Sequence, residues 1–241
     1  MIIPQLRDIK HKNQMYRLLR EILQNNILAN NLYFKGGTYA ALRGSLDRFS
    51  VDLDFDLPNS SLDKRNKLRR ECYKIFEKLD LKIKDESKKH LQFFLRYKAK
   101  PKERNTLKLE INDDVNKANT YEKVFLLEVN MYCRAHTLGT MFANKLIAAQ
   151  ARSQKNGKIA GRDFYDIHHF FLEGVPINEA VIKEKTGLST KEYLRSLSVF
   201  IEENLTETAL NQDLNPLLKP ARLGQVVKNL KQELLGILKS F

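Results

Sequence analysis

Between residues 49 and 57 the chain alternates with period two: Val51, Leu53 and Phe55 fall on one side, Ser50, Asp52, Asp54 and Asp56 on the other. A helix would scatter these acids around its axis, so the segment reads as a strand with one face in a core and a row of carboxylates on the other. It demands a sheet, and a sheet with one acidic face. Strand-like runs at 91–97, 106–112 and 124–131 supply neighbours, read as antiparallel and linked by hairpins. In the second run Leu107, Leu109 and Ile111 face the core, which leaves Lys108, Glu110 and Asn112 on the face of the aspartates.

The remaining segments are mainly helical. Apolar residues at Leu6, Ile9, Met15, Leu18, Leu19, Ile22 and Leu23 predict one amphipathic helix over 6–28. Leu32, Tyr33 and Phe34 form a short strand that stops at Gly36-Gly37, and Thr38 is read as the cap of a helix reaching about Leu42. Pro58-Asn59-Ser60-Ser61 breaks the acidic strand; Leu68, Cys72, Ile75, Phe76 and Leu79 then stripe a helix whose other face is Lys/Arg. After Thr137 the pattern is helical throughout, over 138–153, 162–172, 177–184, 190–203 and 220–238. An α+β domain over 1–136 and a helical domain over 137–241 are expected, a division that suits a chain of 241 residues.

Charge narrows the partners. Residues 64–108 hold 17 Lys+Arg against 6 Asp+Glu, an excess of 11 out of a net +13 for the whole chain. A basic stretch of this kind suits a polyanion such as RNA, or else a solvated helix face with Lys-rich loops. No apolar run approaches the roughly 20 residues that cross a bilayer, and residues 1–12 carry charge and amides where a signal peptide has an apolar core. A cytoplasmic protein without membrane contact is expected. Cys72 and Cys133 belong to no Cys/His cluster and read as reduced, partly buried thiols.

The chemistry is concentrated in Gly36-Gly37-Thr38 and Asp52-Leu53-Asp54. Two glycines between a strand and a helix let backbone approach a ligand, and N–H groups at a helix start attract phosphate oxygens. Two aspartates one residue apart on a strand project together and can share a hard cation such as Mg²⁺. Two-metal phosphoryl transfer needs a third carboxylate, for which Glu110 is preferred to Glu128 in the next strand-like run. Asp56 continues the row but, beside Pro58, reads as an exposed strand-end residue. In the helical half, Lys145 and Arg152 are seven residues apart and share a helix face, where they can line a nucleotide cleft. Lys145 could instead snorkel and Arg152 end its helix. Asp163, just after Gly161, has the position of a helix cap, whereas Asp166, one turn deeper, is harder to explain so. His168 and His169 are adjacent and should diverge.

Lys35-Gly36-Gly37-Thr38 together with Arg48, Ser50, Asp52 and Asp54, followed by Lys145, Arg152 and Arg162-Asp163-Phe164-Tyr165-Asp166, resembles the signature of the AbiEii/AbiGii toxin family of nucleotidyltransferases over about residues 30–172. Val51 departs from it, standing where many relatives carry an acidic or polar residue, and 153–161 is a loop of its own; neither removes an expected ligand. The resemblance implies a polymerase-beta-like nucleotidyltransferase domain followed by a helical bundle. It implies an NTP and Mg²⁺ held by Asp52, Asp54 and Glu110, with Lys145, Asp163 and Asp166 also catalytic. Nucleotide binding would involve Lys35, Gly36, Gly37, Thr38, Arg48, Ser50, Lys145, Arg152 and Arg162. A toxin acting beside a cognate antitoxin is implied, with the acceptor end of tRNA as one target and the stretch 64–108 as its docking region. The residues alone leave two other readings: an enzyme of the same fold modifying a protein hydroxyl by nucleotidyl or phosphoryl transfer, or a catalytically silent nucleic-acid-binding module.

Overall fold

A computed structural model describes residues 1, 3, 5–101, 103–157 and 159–241, without the side chains of 154–156. Lys102, in the basic stretch, and Lys158, in the expected loop 153–161, lie outside the described residues. The chain divides into two compact units: residues 1–115 with 121–136, and residues 116–120 with 137–241.

The first unit holds α1 (Ile9–Gln24), α2 (Asn26–Asn31), β1 (Tyr33–Lys35), α3 (Gly36–Leu42), β2 (Asp52–Asp56), α4 (Leu62–Lys78), β3 (Lys82–Glu86), β4 (Leu91–Arg96), β5 (Thr106–Asn112), β6 (Tyr121–Leu126) and β7 (Met131–His136). The seven strands form one mixed sheet in the order β3-β4-β5-β2-β1-β7-β6. Four neighbouring pairs are antiparallel; β2–β5 and β1–β7 are parallel, where only hairpin neighbours were expected.

One face of this sheet is apolar. Phe34, Leu53, Phe55, Phe93, Leu95, Leu107 and Leu109 are buried on it, and α1, α3 and α4 pack there. Phe76 of α4 meets Phe93 edge-on at 5.1 Å between ring centroids. Burial of side chains this size is worth about 1.5–3 kcal/mol each, which fixes the register of every strand that carries them. The opposite face carries Asp52, Asp54 and Asp56, as the alternation requires.

Local chemistry explains the departures from the sequence reading. The expected helix over 6–28 is broken at Asn25, whose side chain accepts hydrogen bonds from the Ile27 and Leu28 amides and starts α2. The run 124–131 is two strands joined by a 3₁₀ turn at Leu127–Val129, with Asn130 at φ 54°. β3 is an edge strand of Lys82-Ile83-Lys84-Asp85-Glu86, too polar to show a buried face.

The second unit consists of α5 (Leu138–Asn156), α6 (Gly161–Leu172), α7 (Glu179–Thr186), α8 (Thr190–Asn204), α9 (Glu207–Leu214) and α10 (Pro220–Leu238). Thr137 caps α5, and Ser189 with Glu192 forms a capping box on α8. α9 was not foreseen. Its backbone lies so close to the start of α6 that a Cβ on Gly161 would stand 2.8 Å from the Leu210 Cα. Among the described residues, no helix of either unit is long and apolar enough to cross a membrane.

Candidate active site

β1 ends at Lys35 and α3 begins at once, so the backbone must turn sharply at Gly36, which takes φ +79°. That value favours glycine. Space makes the same demand: a Cβ there would lie 2.6 Å from Asp54 Oδ2. A Cβ on Gly37 would lie 2.7 Å from the Arg48 guanidinium and 3.0 Å from Ser50 Oγ. Each glycine therefore makes room for a different polar side chain. Gly36→Ala is expected to cost about 1–2 kcal/mol through its left-handed backbone, and to displace Asp54 with at least a tenfold loss of transfer. Urea denaturation and a turnover assay check this; a variant with wild-type turnover would show that Asp54 need not sit against the turn.

Thr38 does not cap α3. It lies inside the helix, fully buried, and its hydroxyl bridges Ser50 Oγ (2.9 Å) and the Asp52 carbonyl oxygen. The helix start has no side-chain cap. Arg48 and Ser50, expected at the nucleotide, are buried too; Arg48 donates to the Phe49 carbonyl at 2.9 Å. These residues brace the turn against the start of β2. His11 does so from α1, linking the Val51 carbonyl (2.8 Å) to the Tyr97 hydroxyl (2.6 Å). Burial lowers its pKa, in keeping with a neutral imidazole that donates from Nε2 to Val51 and accepts at Nδ1.

Register places Lys35, Asp54, Glu110 and Gln92 side by side across β1, β2, β5 and β4. Burial and the neighbouring Asp52 carboxylate push Asp54 up to about 6; Glu110 adds to the rise, while Lys108 and Lys35 oppose it. Glu110 differs. Lys108, two residues earlier on the same strand face, donates to it and holds its pKa down despite burial. Among the described residues no three His, Cys, Asp or Glu side chains converge to hold a metal ion. Asp54 and Glu110 are direct neighbours across β2 and β5, and Lys108 pairs with Glu110. Glu128 is no substitute: it sits in the β6–β7 turn and binds Lys12 (2.8 Å) and the Tyr16 hydroxyl (2.6 Å).

Asp56 is not an exposed strand end but 1% accessible. Lys35 Nζ lies 2.5 Å from one oxygen, and His136 Nε2 (2.7 Å) and the Tyr121 hydroxyl (3.2 Å) reach the other. Burial alone would raise its pKa, yet the hydrogen bond from His136 and the charge of Lys35 hold it below the usual carboxylate value. Lys35 is thereby anchored beside Asp54. His136 was missed because it is 80 residues from Asp56 in the chain and the strand that carries it was not recognised.

In the helical unit, Lys145 Nζ lies 3.0 Å from both Asp163 Oδ1 and Asp166 Oδ2, and Arg152 lies 3.2 Å from Asp163 Oδ2. The aspartates are 1% and 0% accessible on their side chains. Asp163 is not a cap; Ala160 has that position, and the Asp163 side chain turns to α5. Two cations and two carboxylates balance in charge, which offsets much of the cost of burying them. Arg162 is half-buried in the first turn of α6 and has no ion pair among the described residues. His168 and His169 diverge, to Glu233 at 3.0 Å and Glu173 at 3.8 Å. Both cysteines are buried, which pushes their thiols up to about 12 and leaves them unreactive.

No curated protein matches the sequence. Solved structures do match in fold. JHP933 from Helicobacter pylori aligns with TM-score 0.57 and 19% identity over 98% of this chain and 92% of its own. Another H. pylori structure gives 0.59 and 21% over 98% and 95%. MenT4, a nucleotidyltransferase toxin of Mycobacterium tuberculosis, gives 0.56 and 16% over 98% and 86%. The family model described as nucleotidyl transferase AbiEii toxin, type IV toxin–antitoxin system, matches residues 17–230. With that match spanning most of both units, the chain belongs to the AbiEii family of nucleotidyltransferase toxins.

Proposed function

We propose that this nucleotidyltransferase uses Asp52 and Asp54 to hold Mg²⁺ and moves the nucleotidyl group of an NTP onto RNA, with tRNA as the first acceptor to examine. The observation that carries this reading is the pair of carboxylates on one face of β2, one of them against the Gly36 turn and raised to about 6 by burial and by the other. Such crowding is relieved by a cation, and two carboxylate oxygens suit a hard one. Mg²⁺ held there supplies neutralisation of phosphate charge and a lowered pKa for the attacking hydroxyl.

The chain's own groups do the rest. The acceptor hydroxyl attacks the α-phosphorus and pyrophosphate leaves, so negative charge on the phosphates must be met. Lys35, anchored by Asp56, and Lys108, paired with Glu110, stand beside the carboxylates as point charges for it. The first-turn amides of α3, without a side-chain cap, are further donors. Asp56 and His136 keep Lys35 in place.

The basic stretch 64–108 supports a polyanionic acceptor in divided form. Lys67, Arg70, Lys74 and Lys78 are exposed on α4, which covers the apolar sheet face, whereas Arg96 and Lys108 lie on the acidic face. Several of its cations are already paired, such as Arg65 with Asp113 and Arg69 with Glu86. The cytoplasm, where tRNA and NTP meet, is the proposed site of action, and an antitoxin is the expected partner of the family.

Incubating the protein with total tRNA, Mg²⁺ and each labelled NTP in turn tests the reading. Label should appear on RNA with wild type and not with Asp52→Ala, and mass analysis of the product identifies the base. Label on protein instead would transfer the activity to a protein hydroxyl, and RNA binding without any label would favour a silent binder.

A further inference from the structure

The sheet face that carries the acidic row continues beyond it, through β1 and β7 to the β6 edge. Register puts Tyr121 opposite His136, Lys123 opposite Arg134 and Phe125 opposite Tyr132, so these six side chains share one face of the hairpin. The pairing of Phe34 with Ala135 puts Tyr33 and Lys35 on that face also. Aromatic and basic groups thus alternate in rows, and the face of the hairpin has no acidic residue.

The outer rows are open. Tyr132 is 61% accessible and Phe125 43%, and their rings lie 5.0 Å apart between centroids. Leu127 in the adjoining turn is 80% accessible. Lys123 Nζ lies 4.7 Å from the Tyr132 ring centre, and the Arg134 guanidinium 6.0 Å from that of Tyr33. Tyr33 in turn packs on Tyr121 at 4.1 Å, and Tyr121 on His136 at 5.3 Å. The rings therefore step from the hairpin tip towards Asp56 and Lys35. With neighbouring strands ~4.8 Å apart and ~3.3 Å per residue along a strand, Tyr132 stands on the order of 15 Å from Asp54 across the same face.

We propose that this aromatic and basic face of β6–β7 is a stacking platform for a single-stranded RNA end, which it leads towards the carboxylates of β2. Bases stack on exposed rings whatever their sequence, and cations beside the rings meet the phosphates. A protein partner would have use for the rings but not for two lysine and arginine side chains interleaved with them and unopposed by acid, and charge complementarity therefore favours the polyanion. The proposal rests on RNA as the acceptor.

The test measures fluorescence anisotropy of a short fluorescein-labelled single-stranded RNA across a salt series, with wild type, Phe125→Ala/Tyr132→Ala and Lys123→Ala/Arg134→Ala. The aromatic pair is exposed, so circular dichroism should be unchanged. Its loss is expected to weaken binding by about tenfold or more, with the salt slope kept, since stacking carries no counterion release. Loss of the two cations should weaken binding and reduce the slope by about 1.4. In the labelling assay the aromatic variant should need more RNA for the same rate. Wild-type RNA affinity in the aromatic variant would overturn the platform and leave the RNA-modifying reading standing. No RNA binding or labelling by wild type would overturn both. If sedimentation showed the aromatic variant losing a dimer with RNA affinity unchanged, the face would be a contact between copies and the proposal would fail.

Discussion

Asp54→Ala is expected to abolish nucleotidyl transfer, by about a thousandfold or more, while leaving the fold at least as stable as wild type at neutral pH. The second half of that result is the diagnostic one. Asp54 is half-buried among carboxylates and its pKa is raised to about 6 by burial and by Asp52. A carboxyl raised in the folded state binds its proton more readily there than in the unfolded chain. Its charge therefore costs stability above about pH 6, and that cost disappears as the pH falls to the ordinary value of 3.8. With a chelator present, Asp54→Asn should melt above wild type at pH 7.5, and the difference should shrink towards pH 4. Adding Mg²⁺ should then stabilise wild type and not the variant, because only the protein with both carboxylates gains from binding. A variant that turned over normally, or that lost stability at neutral pH, would remove Asp54 from the metal-holding role.

Asp56→Ala should instead lower the stability of the fold, although the residue lies only two positions along the same strand. It would leave Lys35 and His136 facing a cavity where a carboxylate had paired with both. Breaking a buried pair in this way costs about 3–5 kcal/mol, a large share of a domain's stability. The chain has no tryptophan, so urea denaturation followed by circular dichroism is the suitable measurement. The pH dependence is opposite to that of Asp54. Asp56 is held below the usual value, so its contribution is full above pH 3.8 and is lost as the pH falls through its folded pKa. The gap between wild type and Asp56→Ala should accordingly close in acid. A loss below about 1 kcal/mol at neutral pH would mean that Lys35 and His136 find other partners.

These two aspartates also mark how far the sequence could be read. Period-two alternation made β2 and its acidic face legible, because nothing but a strand places Leu53 and Phe55 opposite Asp52 and Asp54. It could not separate Asp54 from Asp56, since their difference lies in Lys35 and His136, which reach Asp56 through pairings between distant strands. Glu110 was placed correctly on the acidic face, and so was Lys108. What the pattern lacked was the ion pair between them. Lys145, Arg152, Asp163 and Asp166 were drawn together by a helical spacing and a motif, and they do meet in the helical unit. β3 escaped notice because an edge strand buries so little that Lys82 to Glu86 needs no apolar face. Helix α9 is only eight residues long, too short for a clear period.

The strand order has a consequence in time. β1 lies between β2 and β7, so the three-residue strand that carries Lys35 gains its second neighbour only when residues some hundred positions later in the chain arrive. His136, which shares Asp56 with Lys35, is the last residue of that late strand. A ribosome that has made the glycine turn and both aspartates has therefore not yet made the strand that completes the sheet around β1. The acidic row is thus synthesised early, and the Lys35–Asp56–His136 contacts beside it are completed late.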